Sequence, residues 1–161
     1  NENIILNIVG DGSEINNLKL LVKKYELDKK INFIGKIENT KLNEYLKNAD
    51  IFIQASDYEG LPHSILEAMN FEIPILSTDV GGCSVLFNNG ERGYIIPMPV
   101  SEVEISEEIR TIINNKNEAK SKVKLAKNYL NQEHNFNTNA EIYHEKIKEV
   151  IKSQWVKIKK Y

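Results

Sequence analysis

Short apolar runs alternate with amphipathic stretches along the first hundred residues, and the two kinds of segment have different periods. Ile4-Ile5-Leu6-Asn7-Ile8-Val9 is rich in aliphatic and β-branched residues and too short for a helix, so it predicts a strand. In residues 13–25 the apolar positions Ile15, Leu18, Leu21 and Val22 recur at helical spacing behind Ser13, which has N-cap chemistry. The same alternation continues with a strand at 31–34 and a short helix capped by Asn39-Thr40 with Leu42, Tyr45 and Leu46 inward. A strand opens at Ile51, a helix starts at Pro62, a strand runs over 75–78, and a last short strand lies at 93–97. Strands alternating with helices predict an α/β, Rossmann-like fold: a parallel sheet with helices on both faces, and ligands in the crevice at the carboxyl ends of the strands. Gly10, Lys36, Glu59 and Gly81 all fall at such ends.

Beyond the Pro97-Met98-Pro99 linker the character changes to C-terminal helices rich in Lys, Glu and Asn, over about 103–114, 118–131 and 137–157. In the last of these Phe136, Ala140, Tyr143, Ile147, Val150, Trp155 and Ile158 recur at spacings of three to five, a stripe that something should cover.

The segment from Glu59 to Glu67, Glu-Gly-Leu-Pro-His-Ser-Ile-Leu-Glu, carries the chemistry. Proline is tolerated at a first helical position, and Ile65, Leu66 and Met69 then share one face. A helix start offers unpaired backbone N–H groups and about half a positive charge, so amides near Ser64, Ile65 and Leu66 suit a diphosphate without a metal. His63 sits beside those amides, either touching the bound group or simply exposed in the first turn. Sugar hydroxyls donate and an ionised carboxylate accepts from two at once, which suits Glu59 and Glu67 to holding a carbohydrate on either side. The bland alternative is a turn glutamate and a solvated helix glutamate, the usual fate of that residue type.

The flanking order decides between them. The run from Glu59 to Glu67, then Ala68-Met69, then Ile73-Pro74-Ile75-Leu76-Ser77-Thr78-Asp79-Val80-Gly81-Gly82, resembles the donor-binding half of retaining glycosyltransferases of family 4, which have the GT-B fold. Upstream, Val9-Gly10-Asp11-Gly12, Phe33-Ile34-Gly35 and Ala49-Asp50-Ile51-Phe52-Ile53 follow the same template, so the likeness covers about residues 4–115. The resemblance implies that Glu59 meets the donor hexose, that the backbone at Gly60, Leu61 and Pro62 lines the sugar pocket, and that Glu67 holds the ribose. It also implies that Lys36 and Ile37 lie by the base and that Gly81 and Gly82 border the donor phosphates or the acceptor side. Gly10 and Gly12 would let the chain approach the nucleotide closely, or form only a tight strand-to-helix turn. The family often has a Glu three residues after the Gly pair, where this chain has Val85.

Composition narrows the field. With 161 residues and 41% hydrophobic content the chain is long enough for one well-buried domain and too short for two ordinary ones. A net charge of −2, from 21 basic and 23 acidic residues interspersed, gives no field to attract nucleic acid. No apolar run reaches the roughly 18 to 20 residues of a membrane span, Asn1-Glu2-Asn3 is no signal peptide, and the piece reads as soluble. The single cysteine, Cys83, excludes an internal disulfide and any multi-thiolate metal site, which fits a reducing cytoplasm. His63, His134 and His144 lack metal-ligand spacing, so no metal or other cofactor is expected and a nucleotide-sugar enters as substrate.

The expected organisation is a Rossmann-like nucleotide-sugar-binding domain over 1–115, its first strand missing, and C-terminal helices over 116–161 that would pack toward an absent N-terminal domain. The expected function is to bind a nucleotide-sugar, a UDP-sugar first, for hexose transfer with retained configuration to an acceptor glycan or lipid-linked sugar. The fragment alone would be inactive, since this is one half of a GT-B enzyme. Peripheral contact with an anionic membrane through Lys157, Lys159 and Lys160 competes with a plain solvated tail. The rivals are a non-catalytic nucleotide-sugar module, a sugar-nucleotide epimerase on the same fold, and a phospho-receiver domain using Asp11 and Asp57, which lacks the expected Lys at the last strand end.

Overall fold

The computed structural model describes residues 4–60, 62–133 and 144–149. The chain divides between Asn48 and Ala49 into two compact units. The first contains β1 (Leu6–Val9), α1 (Ile15–Lys24), β2 (Ile31–Gly35) and α2 (Asn39–Lys47). β1 and β2 pair in parallel, Leu6 opposite Ile31 and Ile8 opposite Phe33, with the register shifting between Ile8 and Val9. Burial here is sparse: Val22 and Leu46 are buried, while Leu18 and Leu21, expected inward, are 39% and 46% exposed.

The second unit contains β3 (Phe52–Gln54), α3 (His63–Asn70), β4 (Ile75–Thr78), α4 (Cys83–Phe87), β5 (Tyr94–Ile96), α5 (Glu102–Asn114) and α6 (Lys116–Glu133). Its three strands form a parallel sheet in the order β3-β4-β5, so β4 is central and all four of its residues are buried. The described strands therefore lie in two parallel sheets, of two and three strands, rather than in one continuous ladder.

Alternation along the central strands sorts the core into two layers, because successive side chains in a strand point to opposite faces. Ile75 and Ile95 join Ile65, Ala68, Met69, Cys83, Leu86, Phe87 and Ala126 on the side covered by α3, α4 and α6. Leu76, Tyr94 and Ile96 join Ile105, Ile109 and Ile112 on the side covered by α5. With both faces covered, Ile75-Leu76 reads as a continuous apolar run, as expected of a buried parallel strand. α6 supplies Ala119 to one layer and Ala126 to the other, and Lys127 Nζ bonds the Asn70 carbonyl at 2.8 Å, tying α6 to the end of α3.

The helix starts correct two readings of the sequence. α1 is preceded by Glu14, which makes no side-chain cap, so Ser13 is not the N-cap. Asn39 and Thr40 lie inside α2, whose N-cap position is Glu38, again without a side-chain bond. The five-residue α4 was not read from the sequence, being too short to show a period. The expected helix over 137–157, with its Trp155 stripe, and the terminal lysines lie outside the described residues, except that 144–149 are helical.

Candidate functional site

α3 begins at His63, with Pro62 at its N-cap position in extended conformation, one residue later than expected. Ile65, Ala68 and Met69 are buried beneath the helix, fixing its rotation. His63 and Glu67, four apart, then share the exposed face opposite this stripe, while Ser64 lies on the flank. The Pro62 carbonyl already accepts from the Ile65 amide at 3.1 Å and from the Leu66 amide at 3.5 Å. The amides that precede any intrahelical acceptor are therefore those of His63 and Ser64, which moves the strongest anion-binding position one residue ahead of the expected group.

Glu59 sits in the loop between β3 and α3, half-buried, and is the best-anchored acid of the segment. Its Oε1 accepts from Gln54 Nε2 at 2.7 Å and from Ser56 Oγ at 2.9 Å. Ser64 Oγ in turn donates to Gln54 Oε1. The Ser56 end of the loop is pinned separately, because the buried Thr78 at the end of β4 donates its hydroxyl to the Ser56 carbonyl at 2.6 Å. Gln54, Ser56 and Thr78 were not read as site residues; the signal available was Gln54 as the lone polar residue within the apolar run at 51–55.

Gly81 and Gly82 meet the same loop through the backbone. The Gly82 amide donates to the Gly60 carbonyl at 2.9 Å. Gly81 has φ +56, and a Cβ there would lie 1.9 Å from the Glu59 carbonyl oxygen and 2.7 Å from its carbon. No side chain larger than hydrogen fits between these two turns. The structure thus brings together Glu59, Gly60, Pro62, Ser64, Gly81 and Gly82, with Glu67 one turn further along the helix. Leu61 lies outside the described residues.

In the first unit, Gly10 follows β1 with φ +122 and donates its amide to the Gly35 carbonyl at 2.9 Å. Its positive φ favours glycine at this strand end, and a Cβ there would meet open space. The Gly12 amide is taken by the Asp11 side chain at 2.9 Å. Lys36 is exposed and Ile37 half-buried just beyond β2.

Cys83 is fully buried in the core beside Ser77. Among the described residues no group of three or more His, Cys, Asp and Glu is placed to hold a metal, and no helix is long and apolar enough to cross a membrane.

Residues 1–132 match the family model described as glycosyl transferases group 1. The chain belongs to this family. Within it, the O-antigen biosynthesis glycosyltransferase WbnH of Escherichia coli is 43% identical over 79 residues, covering 48% of this chain and 21% of that protein. An uncharacterised glycosyltransferase of Haemophilus influenzae is 32% identical over 111 residues, covering 68% and 31%. Anabaena HepE, crystallised in complex with UDP, superposes with a TM-score of 0.81 at 20% identity, over 91% of this chain and 41% of that one. The α/β fold is therefore the one found in GT-B glycosyltransferases. This group 1 chain spans about a fifth to two fifths of the length of the curated relatives it matches.

Proposed function

We propose that this chain is the donor-binding, C-terminal half of a retaining GT-B glycosyltransferase of family 4, which moves a hexose from a nucleotide-sugar to an acceptor hydroxyl. The observation that carries the reading is the Glu59 carboxylate, fixed by two donors on one oxygen in a loop that leads into the start of α3. In this assignment Glu59 holds the hexose hydroxyls, and the backbone of Gly60, Leu61 and Pro62 lines the sugar. The diphosphate lies against the head of α3, at the amides of His63 and Ser64 with Ile65 and Leu66 behind them. Glu67, exposed further along the helix, takes the ribose. Gly81 and Gly82 border the phosphates, while Gly10, Gly12, Lys36 and Ile37 belong to the nucleotide side.

The chemistry is departure of a nucleoside diphosphate. Charge grows on the leaving phosphate as the glycosidic bond breaks, and a helix start aimed at it stabilises that charge without reorganising. Holding the hexose in one orientation removes the entropy of finding the reactive pose, an effect worth several kcal/mol in well-oriented systems. No metal is required by this arrangement. UDP is the nucleotide favoured, supported by the complexes of HepE with UDP and with UDP-glucose. The acceptor, a glycan or lipid-linked sugar, is assigned to the other half of the parent, which works in the cytoplasm or at the inner membrane face. The nucleotide-sugar-binding domain is assigned to 1–115, α6 packs into the core of that same half rather than away from it, and the isolated chain is inactive.

The test is Glu59→Ala in the full-length parent, assayed by saturation-transfer NMR and turnover with UDP-, GDP- and ADP-hexoses. Transfer should fall on the order of 100-fold or more while nucleotide binding persists. Unchanged turnover removes Glu59 from the site.

A further inference from the structure

The hydrogen bonds behind Glu59 have a fixed direction. An ionised carboxylate only accepts, so the end of the Gln54 amide that faces Glu59 Oε1 must be the NH2, and its carbonyl is then left to accept from the Ser64 hydroxyl. The relay runs Ser64 to Gln54 to Glu59, and Ser56 adds a second donor to the same oxygen. Among the described residues both bonds to the Glu59 carboxylate fall on Oε1. One oxygen is thereby tied down while Oε2 keeps its acceptor sites for a ligand. The three members stand on three different pieces of backbone: Ser64 in the first turn of α3, Gln54 at the end of β3, Glu59 in the loop between them. The Gln54 amide accepts from the helix and donates to the loop at the same time; an apolar residue in its place, as in the rest of this strand, does neither.

We propose that Gln54 is a positioning residue for transfer: it sets the distance and angle between the carboxylate that holds the sugar and the helix start that holds the diphosphate. The proposal rests on the donor-site reading given above. Gln54 touches neither nucleotide nor helix amides in that reading, so its loss misplaces the sugar relative to the leaving group and leaves the nucleotide in place. The reacting geometry suffers and the affinity does not.

The experiment uses the full-length parent with the member of a UDP-, GDP- and ADP-hexose panel that the unaltered enzyme consumes, and with the matching free nucleoside diphosphate as binding probe. Gln54→Leu should lower kcat on the order of 10- to 100-fold, as expected for a misplacement near 1 Å, with the Kd for the diphosphate changed by no more than about twofold. In Gln54→Glu the introduced carboxyl can donate to Glu59 only when protonated. Its kcat relative to the unaltered enzyme should therefore climb as pH is lowered, a profile that a loosened fold does not produce. Ser64→Ala removes the first donor of the relay with little change in packing, and should give a smaller kcat loss of the same kind; it carries the test if Gln54→Leu does not fold.

An unchanged kcat in Gln54→Leu, a loss of diphosphate binding in step with kcat, or a flat relative pH profile in Gln54→Glu overturns the positioning role alone. A parent that consumes no nucleotide-sugar overturns the donor-site reading and this inference with it.

Discussion

Gly81 occupies a position that no other residue can fill without moving the Glu59 loop. Its φ of +56 already disfavours a side chain, and the 1.9 Å approach of a Cβ to a backbone oxygen cannot be relieved by a rotamer change. Gly81→Ala should therefore destabilise the fold by about 2 kcal/mol or more and displace Glu59, seen as a lower Tm together with lost transfer in the parent. Gly10→Ala, with open space around its Cβ, should cost about 1 to 3 kcal/mol through its φ of +122 alone and leave the Glu59 loop in place. Tyr94 presents the opposite problem, a buried hydroxyl with no partner among the described residues. Burial first, then the nearby Glu118 and Glu108, push this phenol up to about 12. Between pH 10 and 12 the unfolded chain gives up this proton while the folded chain keeps it, so the unfolded state binds fewer protons and stability falls as pH rises. Tyr94→Phe should flatten that alkaline decline in urea titrations, and by removing the orphaned hydroxyl should add about 1 kcal/mol at neutral pH.

At the scale of elements, the clearest local device is at α5. Ser101 Oγ accepts from the Glu104 amide at 3.2 Å while the Glu104 carboxylate accepts from the Ser101 amide at 3.1 Å, a reciprocal capping box. Ser101→Ala should lower the stability of the domain by about 1 kcal/mol in a denaturant titration. That box was open to sequence reading, as Ser-x-x-Glu before an apolar period, yet the starts assigned to Ser13 and Asn39 were wrong. A residue type permits a cap, but only the backbone angles at that position decide whether the side chain reaches the third amide. The strand at 75–78 was legible to the residue because Pro74 and Asp79 bracket a run whose two faces are both covered. The Gly81-Gly82 turn was legible as a turn. Its close seat on the Glu59 backbone was not, since contacts between segments twenty residues apart depend on how the loop returns. Gln54 stands in the sequence only as a polar residue within an apolar strand, and its bonds to Glu59 and Ser64 depend likewise on the path of the loop.

Over the whole described chain, the two units are built to different standards. The second buries two apolar layers around β4, whereas the first leaves Ile4, Ile5, Leu6 and Leu20 between 41% and 66% exposed. The fold was readable from the strand–helix alternation, and of the resemblance drawn from the Glu59-to-Glu67 order the match over residues 1–132 bears out the glycosyl transferases group 1 membership. Small residues matter most where α6 meets the rest of its unit. Ala126, 2% exposed against α3, leaves no room for growth, and Ala126→Leu should cost about 1 to 3 kcal/mol by overpacking, measurable as a shifted urea midpoint with an unchanged slope.

The central place of β4 also dictates where solvent deuterons enter last. An amide exchanges only when its hydrogen bond opens, and Leu76 and Ser77 sit between two paired neighbours under helices on both sides. Their exchange should wait for global unfolding, while Leu6 and Asn7 of β1 exchange through local fraying. The Thr78 hydroxyl that pins Ser56 thus hangs from the slowest-opening strand of the molecule. The Glu59 loop borrows its persistence from the last piece of the domain to let go.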